Sequence, residues 1–544
     1  MKRSVIYTFL LGIVLLGACN KQLEEYNPSG LTVDQVFSTP DGFETLVTAA
    51  YSYNRWWYGK EEGYSIAEMG TDLWTSGTGD KYPDLTQYNN LQASNAVMSA
   101  LWKQLYAAVN LCNLGIARVD KAGFAENIRV TRDAELRFLR AFYYWHIVET
   151  WGGVHFTTQP TEGVETTANR TPVDTFYAQI FRDLEVAVTN LPTTTGDYGR
   201  VTKPAAQAFL ARMCLTRGFN QRAAVLADSV ISKYSFALES NYARLWSMDN
   251  LQNKEVVWAV NYMKNLVFDD RTNATLYPTG HSRGANNGHL MFGMKYDDLP
   301  GMQRDIANGR PFNRYMPTLF MLNLYNENAD ARYEGSFRQV WYCNNLKTAP
   351  DGMKLGDTAV FCSKKVVDGT GKKYRIYDRN ASYAGSEGGK DRTHYVSLKK
   401  FDDPTRAGKD EEQSPRDAFI IRLAELYLIA AEAQFNLGNS AKAAEYINAI
   451  RKRAAIPGHE AEMVISASDI TLDFILDERA RELVGEQLRW FDLKRTGKLG
   501  ERISAHNPDA AKYFQSYHTL RPIPQEQIDA VTNKTEFTQN PNYQ

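Results

Sequence analysis

The sequence has few cysteines and no excess of charge. Only 5 of its 544 residues are cysteines, and its 8 histidines are scattered. No two cysteines form a C-x-x-C pair, so neither a disulfide framework nor a zinc site is expected to organise the fold. Lys plus Arg (62) minus Asp plus Glu (63) leaves a net charge of −1, which argues against binding of nucleic acid.

The motifs of the common enzyme classes are also missing. The chain contains no G-x-S-x-G, no H-E-x-x-H, no dinucleotide fingerprint and no P-loop, since Gly389-Lys390 is followed by Asp391. A carboxylate pair for glycoside hydrolysis cannot be singled out, because among 63 acidic residues some pair always falls about 5 to 9.5 Å apart by chance. We therefore expect no catalytic residue, no metal and no cofactor.

Long apolar runs are confined to the N-terminus, which excludes a protein with many membrane spans. Lys2 and Arg3 precede an apolar run from Val5 to Leu16, and this order is typical of a secretory signal over residues 1–18. The run ends in Leu16-Gly17-Ala18-Cys19, which resembles a bacterial lipobox and predicts lipidation of Cys19. Residues 19–40 would then form a tether that anchors the chain to a membrane. The alternative is an ordinary cleavage site with a chance cysteine.

The other four cysteines allow two interpretations. Cys112 and Cys214 fall on apolar helix stripes, so we expect them in the core. Cys343 and Cys362 could pair in an oxidising compartment or stay free.

Helical periodicity dominates two parts of the chain, residues 41–240 and 416–544. In the second part, Arg422 to Ala454 contains two helices rich in small residues, separated at Gly438, and loosely resembles a tetratricopeptide unit. Apolar residues recur at three- and four-residue steps in six segments of the first part: Asp41 to Trp57, Asn95 to Val119, Arg132 to Trp151, Val173 to Leu191, Pro204 to Arg217 and Gln221 to Tyr234. Short turns between several of them predict antiparallel helix pairs.

Residues 241–415 have a different character. Clusters of Gly, Asn, Asp and Pro interrupt the helical period, and only short segments such as Glu255 to Val260 and Lys373 to Tyr377 alternate as strands do. Because so much irregular chain in a compact protein usually carries function, we expect the ligand site here.

Two charged patterns favour a structural role. Asp477 to Glu482 alternates in sign on a segment whose leucines and Trp490 share a helical face, which predicts ion pairs along one helix. Asp330 and Arg332 are expected to pair with each other.

Three separated segments resemble the SusD/RagB family of nutrient-binding outer-membrane lipoproteins of Bacteroidetes. They are AELRFLRAFYYWHIVETWGGVHF (134–156), RLAELYLIAAEAQFNLGN (422–439) followed by ILDERARELVGEQLRWFDLKRTGKL (475–499), and the terminal LRPIPQEQIDA with TQNPNY. With the lipobox, this resemblance covers essentially the whole mature chain. The short acidic tether after Cys19 is similar to the export signal of surface lipoproteins in the same group, which implies an outward-facing location.

The resemblance implies a mainly α, SusD-like fold in which tetratricopeptide-like helix pairs support a loop-rich ligand-binding portion with a few short strands. It implies a SusC-like TonB-dependent outer-membrane transporter as partner. It also implies capture of an oligosaccharide without bond chemistry. Peptide capture, as in the RagB branch, is the alternative, and a glycan-cleaving enzyme is a third hypothesis of another class.

Sugar binding needs flat aromatic rings in loops, with polar groups nearby for the hydroxyls, and the chain has 10 Trp, 31 Tyr and 25 Phe. By contrast, Arg55-Trp56-Trp57 closes a helix and is expected to pack, as are Arg137, Arg140, Trp145 and Trp151 on a second helix. Three loop clusters fit the pattern of a site and supply our candidate ligand residues: Asp72, Trp74 and Tyr82; Tyr296, Asp297 and Arg304; Trp341 and Tyr342. Of these, Trp74 is expected to be an exposed loop ring, with a core position as the alternative.

Overall fold

The computed structural model describes residues 33–263, 285–383 and 391–543. The predicted signal, Cys19 and most of the tether lie outside the described residues. Within those ranges no helix has both the length and the apolar character needed to cross a membrane.

Helices account for most of the regular structure. They are α1 (Val33–Phe37), α2 (Pro40–Ser52), α3 (Glu61–Ala67), α4 (Pro83–Gln87), α5 (Ala96–Arg118), α6 (Glu126–Trp151), α7 (Val173–Asn190), α8 (Lys203–Thr216), α9 (Asn220–Lys233), α10 (Leu319–Asn323), α11 (Arg332–Ser336), α12 (Arg379–Ser382), α13 (Leu423–Asn436), α14 (Ser440–Arg453), α15 (Glu460–Met463), α16 (Leu472–Leu483), α17 (Arg489–Arg495), α18 (Leu499–His506), α19 (Pro508–Ala511) and α20 (Gln525–Ala530). Each of the six helical segments expected between residues 41 and 240 is present.

The strands are short and lie in small sheets. They are β1 (Trp74–Ser76), β2 (Val256–Val260), β3 (Tyr315–Pro317), β4 (Phe337–Arg338), β5 (Val340–Tyr342), β6 (Thr358–Cys362), β7 (Arg375–Tyr377), β8 (Ser397–Leu398) and β9 (Ala418–Arg422). Antiparallel pairs join β1 to β3, β2 to β9 and β4 to β8. The three-stranded sheet has the order β5-β6-β7, with β6 and β7 parallel.

One apolar core holds the two helical parts of the chain together. Its buried side chains come from between residues 43 and 262 and between residues 420 and 543, so the helices before and after the loop-rich region bury their apolar faces against each other. Helix α6 lies at its centre, where Phe142 and Trp145 each contact Phe209 of α8 edge to face. The hinge at Gly438 also forms as expected, with a φ of 83° that glycine adopts without strain.

A second apolar core lies under the loop-rich region. Apart from Ala480 and Val484 of the C-terminal part, it is built from residues 64–74 and 290–398. The strand pair β1 and β3 joins the two ranges, since Trp74 lies opposite Pro317 and Ser76 opposite Tyr315. The loop-rich region is therefore a packed unit with its own interior.

Buried ion pairs connect the two cores. Glu482 of α16 is fully buried and accepts hydrogen bonds from Arg332 at 3.0 Å, from Arg422 at 2.8 Å and from Arg453. Arg332 lies in the loop-rich region, Arg422 ends β9 and Arg453 ends α14. One carboxylate thus fixes the relative positions of three separate elements.

Glu478, one turn earlier on α16, has the same role. It accepts from Arg332 at 2.8 Å and from Arg451 and Arg481, both at 2.9 Å. Burial acts to raise the pKa of Glu478, but these three guanidinium groups lower it to about 2. The stabilisation from this group is present above the ordinary pKa of a glutamate and is lost as the pH falls toward 2.

These contacts confirm one expectation and correct two others. Asp330 and Arg332 do form a pair, at 2.8 Å. The charges of 477–482, however, pair mostly with other elements, because buried carboxylates require several donors and one helix cannot supply them. The helix also ends at Leu483, since Gly485 and Gln487 have φ of 76° and 62°, and Trp490 lies on the next helix.

The structure answers the question whether Cys343 and Cys362 pair and tests the packing role expected of Arg140, Trp145 and Trp151. Cys343 and Cys362 are buried and free, so the possible disulfide is not formed. Arg140 pairs with Asp183 of α7 at 2.7 Å, Trp145 is buried, and Trp151 donates to the carbonyl of Pro522, which confirms their structural role.

Replacement of Arg332 tests the buried network. Arg332→Met should lower the free energy of unfolding by about 3–5 kcal/mol at pH 7, because it leaves three buried carboxylates without their shared partner. Urea unfolding measures this change. Lys409→Met is the control, since Lys409 and Asp410 form an exposed pair that contributes about 0–1 kcal/mol. Equal stability of the two variants would contradict the role of the network.

Candidate functional site

One aromatic ring from each of the three loop clusters expected to bind ligand lies in the second core. Trp74, Tyr296 and Trp341 all belong to it, and each ring is at most 1% exposed. The expectation that Trp74 is an exposed loop ring is wrong. Trp74 begins strand β1, which had not been anticipated, and its ring packs on Phe292 with 4.8 Å between centroids.

Asp72 is also buried and engaged. Its two carboxylate oxygens accept from Nε and Nη2 of Arg489, at 2.8 and 2.5 Å. This bidentate pair ties the segment before β1 to helix α17. The side chain of Asp72 is therefore not exposed to a ligand at the surface, although its predicted role in ligand binding requires such exposure.

Asp297 and Arg304 pair with each other on the surface of the second core. The distance from Arg304 Nε to Asp297 Oδ2 is 2.7 Å, and Nη1 donates to Asp410 at 2.6 Å. Burial acts to raise the pKa of Asp297, but hydrogen bonds from Lys295 and Arg304 lower it below the ordinary value. Both groups hold loops together, and ligand contact by Arg304, which is partly exposed, stays a prediction.

Tyr342 is the most exposed of the candidate rings. Its side chain is 58% exposed at the end of β5, where a bulge follows the buried Trp341. The ring is available for stacking, and its role stays a prediction.

Tyr82 lies on a surface that we call the aromatic ledge, made of Glu61, Tyr82, Arg310, Phe312 and Arg314. Tyr82 and Phe312 are each half-buried, and the guanidinium groups of Arg310 and Arg314 lie 5.2 and 5.0 Å from the centroid of Phe312. Arg314 also pairs with Glu61 at 2.7 Å and donates to the carbonyl of Gly79. These contacts hold the ring of Phe312 in place, and the charge of Arg314 also acts on the phenol of Tyr82.

Two groups of the ledge, Glu61 and Tyr82, have pKa values raised above their ordinary values. Burial raises the pKa of Glu61 to about 7, although the charge of Arg314 opposes the shift. Burial, followed by the charges of Glu62 and Glu61, raises the pKa of the Tyr82 phenol above its ordinary value. The phenol is therefore protonated at neutral pH and can donate a hydrogen bond.

Sequence reasoning missed Phe312 and its two arginines. The segment Gly309-Arg310-Pro311-Phe312-Asn313-Arg314 places a ring between polar groups in a loop, which is the pattern applied to the other clusters. The signal was present, but the pattern alone does not tell an exposed ring from a buried one.

An open groove of about 400 Å³ follows Tyr82 in the chain. We call it the amide groove. Its side chains are mainly carboxamides with one carboxylate and one hydroxyl, and its lining residues are Pro83, Asp84, Gln87, Asn89, Asn90, Gln92, Ser94, Asn95 and Ala96. A carboxamide both donates and accepts hydrogen bonds, as a sugar hydroxyl requires of its partners.

The backbone of the groove is strained and firmly held. Tyr88 and Asn90 have positive φ of 59° and 57°, which costs a tyrosine on the order of 1–3 kcal/mol. The buried Tyr88 hydroxyl donates to the carbonyl of Gly70 at 2.8 Å. Asn95 caps helix α5 through Val97 N and donates to Asp84 at 2.6 Å.

The groove and the ledge are linked through Tyr82, which precedes Pro83, the first residue of the groove. Gln87 Nε2 donates to Ser76 Oγ at 3.0 Å, and Ser76 Oγ donates to Asp80 Oδ2 at 2.7 Å. Asp80 Oδ1 in turn accepts from the backbone N–H of Tyr82 at 3.0 Å. One hydrogen-bonded chain thus joins Gln87 of the groove to the backbone of Tyr82. In the described ranges no three His, Cys, Asp or Glu side chains come together as a metal site would require.

Comparison with known proteins matches residues 254–543 to the SusD family, which is more than half of the chain. The chain belongs to the SusD family. Residues 34–215 match a second family model of this kind, described as "Starch-binding associating with outer membrane". The family membership and the mainly α fold expected from the sequence are both confirmed.

Relatives match this SusD family member over nearly its full length. A SusD-like protein of Formosa agariphila is 26% identical over 99% of each chain. The structure of a laminarin-binding SusD-like protein gives a TM-score of 0.71 at 23% identity, over 93% of this chain and 100% of that one. Surface glycan-binding protein A of Bacteroides thetaiotaomicron in complex with laminarihexaose gives 0.69 at 21% identity, over 92% and 99%.

The burial of Trp74 reverses the effect expected of its replacement. Trp74→Ala should destabilise the protein by about 3–5 kcal/mol, as Trp145→Ala should, because each removes a buried ring from a core. Thermal and urea unfolding measure both variants. Tyr342→Ala is the exposed control and should change stability by no more than about 0.5 kcal/mol. A Trp74→Ala variant as stable as the wild type would show that the ring is not part of the core.

Proposed function

We propose that this protein captures an oligosaccharide noncovalently on the amide groove and the aromatic ledge, with no bond chemistry. The observation that carries the proposal is the hydrogen-bonded link between Gln87 of the groove and Tyr82 of the ledge, which places an aromatic ring next to amides that can form hydrogen bonds. Full-length relatives named for laminarin and other surface glycans support it.

The groove suits the polar edges of a sugar chain. Every hydroxyl that loses water on binding needs a partner, since an unpaired buried hydroxyl costs about 1–3 kcal/mol. The carboxamides of Gln87, Asn89, Asn90 and Gln92 offer donors and acceptors close together. The strained but fixed backbone at Tyr88 presents them without further ordering cost.

The ledge suits the C–H face of a sugar ring. Tyr82 and Phe312 are flat, partly exposed and restrained by neighbouring cations, so little side-chain freedom is lost when a ligand stacks on them. The protonated Tyr82 hydroxyl can also donate to a ring oxygen or hydroxyl. A chain of several sugars would extend from the ledge into the groove.

Capture serves uptake in this proposal. Lipidation of Cys19 would hold the protein on the outer membrane, facing outward, and a SusC-like TonB-dependent transporter would receive the glycan. Because the net charge of the chain is close to zero, long-range electrostatic attraction contributes little to binding of such a partner. The contact would depend on the shape and the local polarity of the two surfaces.

Removal of the ledge rings tests the site. Phe312→Ala and Tyr82→Ala should each weaken binding of a recognised glycan about 2- to 12-fold, because a stacked ring contributes about 0.5–1.5 kcal/mol. Affinity electrophoresis against a polysaccharide panel identifies the glycan, and calorimetry then gives the affinities. Phe219→Ala is the matched control, since Phe219 is an exposed ring at the start of α9. Tyr342→Ala shows whether β5 extends the site.

The same panel separates the alternative functions. Retarded mobility without release of reducing ends supports the proposal. Release of product would show an enzyme, and retention of peptides without any glycan would show a peptide importer of the RagB type. Unchanged glycan affinity in both ledge variants would remove the ledge from the site.

Loss of the anchor tests the location and the partner. Cys19→Ala should leave the fold intact but abolish incorporation of palmitate and release the protein from membranes. From wild-type membranes, mild detergent should recover the protein together with a large β-barrel protein. A Cys19→Ala variant that incorporates palmitate would contradict lipidation, and recovery of wild type alone under several mild conditions would contradict the partner.

A further inference from the structure

A second cavity, separate from the groove and the ledge, lies beside the helical core. Its volume is about 310 Å³, at the lower end of typical small-molecule sites. We call it the Arg55 cavity. It lies between the end of α2 with the turn that follows, the loop 197–200 and the end of β2, and its wall includes Tyr51, Asn54, Arg55, Tyr198, Arg200 and Asn261.

Arg55 is held in place without an acidic partner. Its Nη2 donates to the carbonyl of Asn261 at 2.9 Å, and its guanidinium lies 5.3 Å from the ring centroid of Tyr262. Among the residues that the structure describes, no carboxylate lies within salt-bridge distance of Arg55, which keeps most of its N–H donors unused. A guanidinium with a fixed orientation and free donors is suited to bind a carboxylate through two hydrogen bonds.

The other charges around the cavity are already balanced. Arg200 pairs with Glu44 at 2.7 Å, with Glu135 at 2.8 Å and with Asp197 at 3.3 Å. Arg132 bonds both Glu44 and Glu135 from the other side. Asp197 also lines the cavity, but it pairs with Arg200 and is largely exposed, so water screens its charge.

One more acidic group, Asp417, lies close enough to Arg55 for the charge of Arg55 to affect its pKa. Burial raises the pKa of Asp417 to about 6, while the hydrogen bond from the backbone of Tyr262 and the charges of Arg416 and Arg55 act to lower it. Its Oδ1 accepts that N–H at 2.8 Å, so Asp417 is occupied as a structural acceptor. Arg55 therefore remains the group through which the cavity can attract an anion.

The remaining wall favours a ligand with hydroxyls. Asn54 is 3% exposed, and within the described part of the chain its Oδ1 accepts no hydrogen bond. A buried acceptor without a donor costs about 1–3 kcal/mol, which a ligand hydroxyl could remove. Tyr51 and Tyr198 supply flat walls, and their hydroxyls bond Val201 N and the carbonyl of Leu251.

We propose that the Arg55 cavity binds one sugar acid. Arg55 holds the carboxylate, Asn54 accepts from a hydroxyl, and Tyr51 and Tyr198 enclose the ring. The size of the cavity limits the ligand to a single sugar unit, in contrast to the chain proposed for the groove and ledge. The inference does not depend on that site, since the two share no lining residue.

Calorimetry on the full chain at low salt tests this proposal, with sodium glucuronate, sodium galacturonate, glucose and sodium acetate as titrants. At least one uronate should bind about tenfold more tightly than glucose and acetate, because only a uronate offers both the carboxylate and the ring hydroxyls. Arg55→Met should lose about tenfold or more in affinity for that uronate. Arg55→Lys should retain part of it, since an ammonium keeps the charge but not the two-pronged geometry.

Two variants provide controls. Arg182→Met removes an exposed arginine of α7 and should leave uronate binding unchanged. Phe312→Ala should also leave it unchanged, which separates this cavity from the ledge. Melting curves with and without uronate check that each variant is folded and should show full stabilisation where Arg55 is present, less in Arg55→Lys and none in Arg55→Met. The proposal is overturned if acetate or glucose binds as tightly as the uronates, if folded Arg55→Met binds them as well as wild type, or if wild type binds neither.

Discussion

The buried carboxylates of Glu478 and Glu482 impose the constraint on which the rest of the structure depends. A charge without water must have partners, and these two groups require five guanidiniums between them, drawn from the loop-rich region, from β9, from α14 and from α16 itself. The second core can therefore occupy only one position against the helices. The ledge and the groove depend on that position, because Asp72 and Arg489 extend the same kind of link to β1.

The aromatic residues divide between two roles according to their neighbours rather than their type. Trp74, Tyr296 and Trp341 fill the interior of the loop-rich region and supply the hydrophobic core on which its irregular chain packs. Tyr82 and Phe312 stay at the surface, restrained by Lys81, Arg310 and Arg314. Tyr82 packs against the helical core and Phe312 against the second core, and a ring restrained in this way loses less entropy when a sugar stacks on it.

The concave surfaces differ in charge as well as in shape. The amide groove combines carboxamides with one carboxylate and opens along a strained backbone, which fits an extended neutral chain. The Arg55 cavity is smaller and has an uncompensated guanidinium, which fits a single acidic unit. The two proposed sites would therefore suit two kinds of sugar chemistry, and the physical basis of the difference is the charge that each wall presents.

The sequence by itself determined the helices, the hinge at Gly438, the strands around 256–260 and 375–377 and, through three separated segments, the family. The helices, the hinge and the strands depend on local periodicity and on short-range backbone preference, which a single chain displays directly, whereas the family rests on the resemblance of those segments. Only the tertiary structure decided which loop rings are buried, that the charges of α16 pair across elements, and that Arg314 lies over Phe312 and acts on Tyr82. The reason is that exposure and charge pairing depend on contacts between residues hundreds of positions apart, such as Asp72 and Arg489, and no local pattern records those contacts.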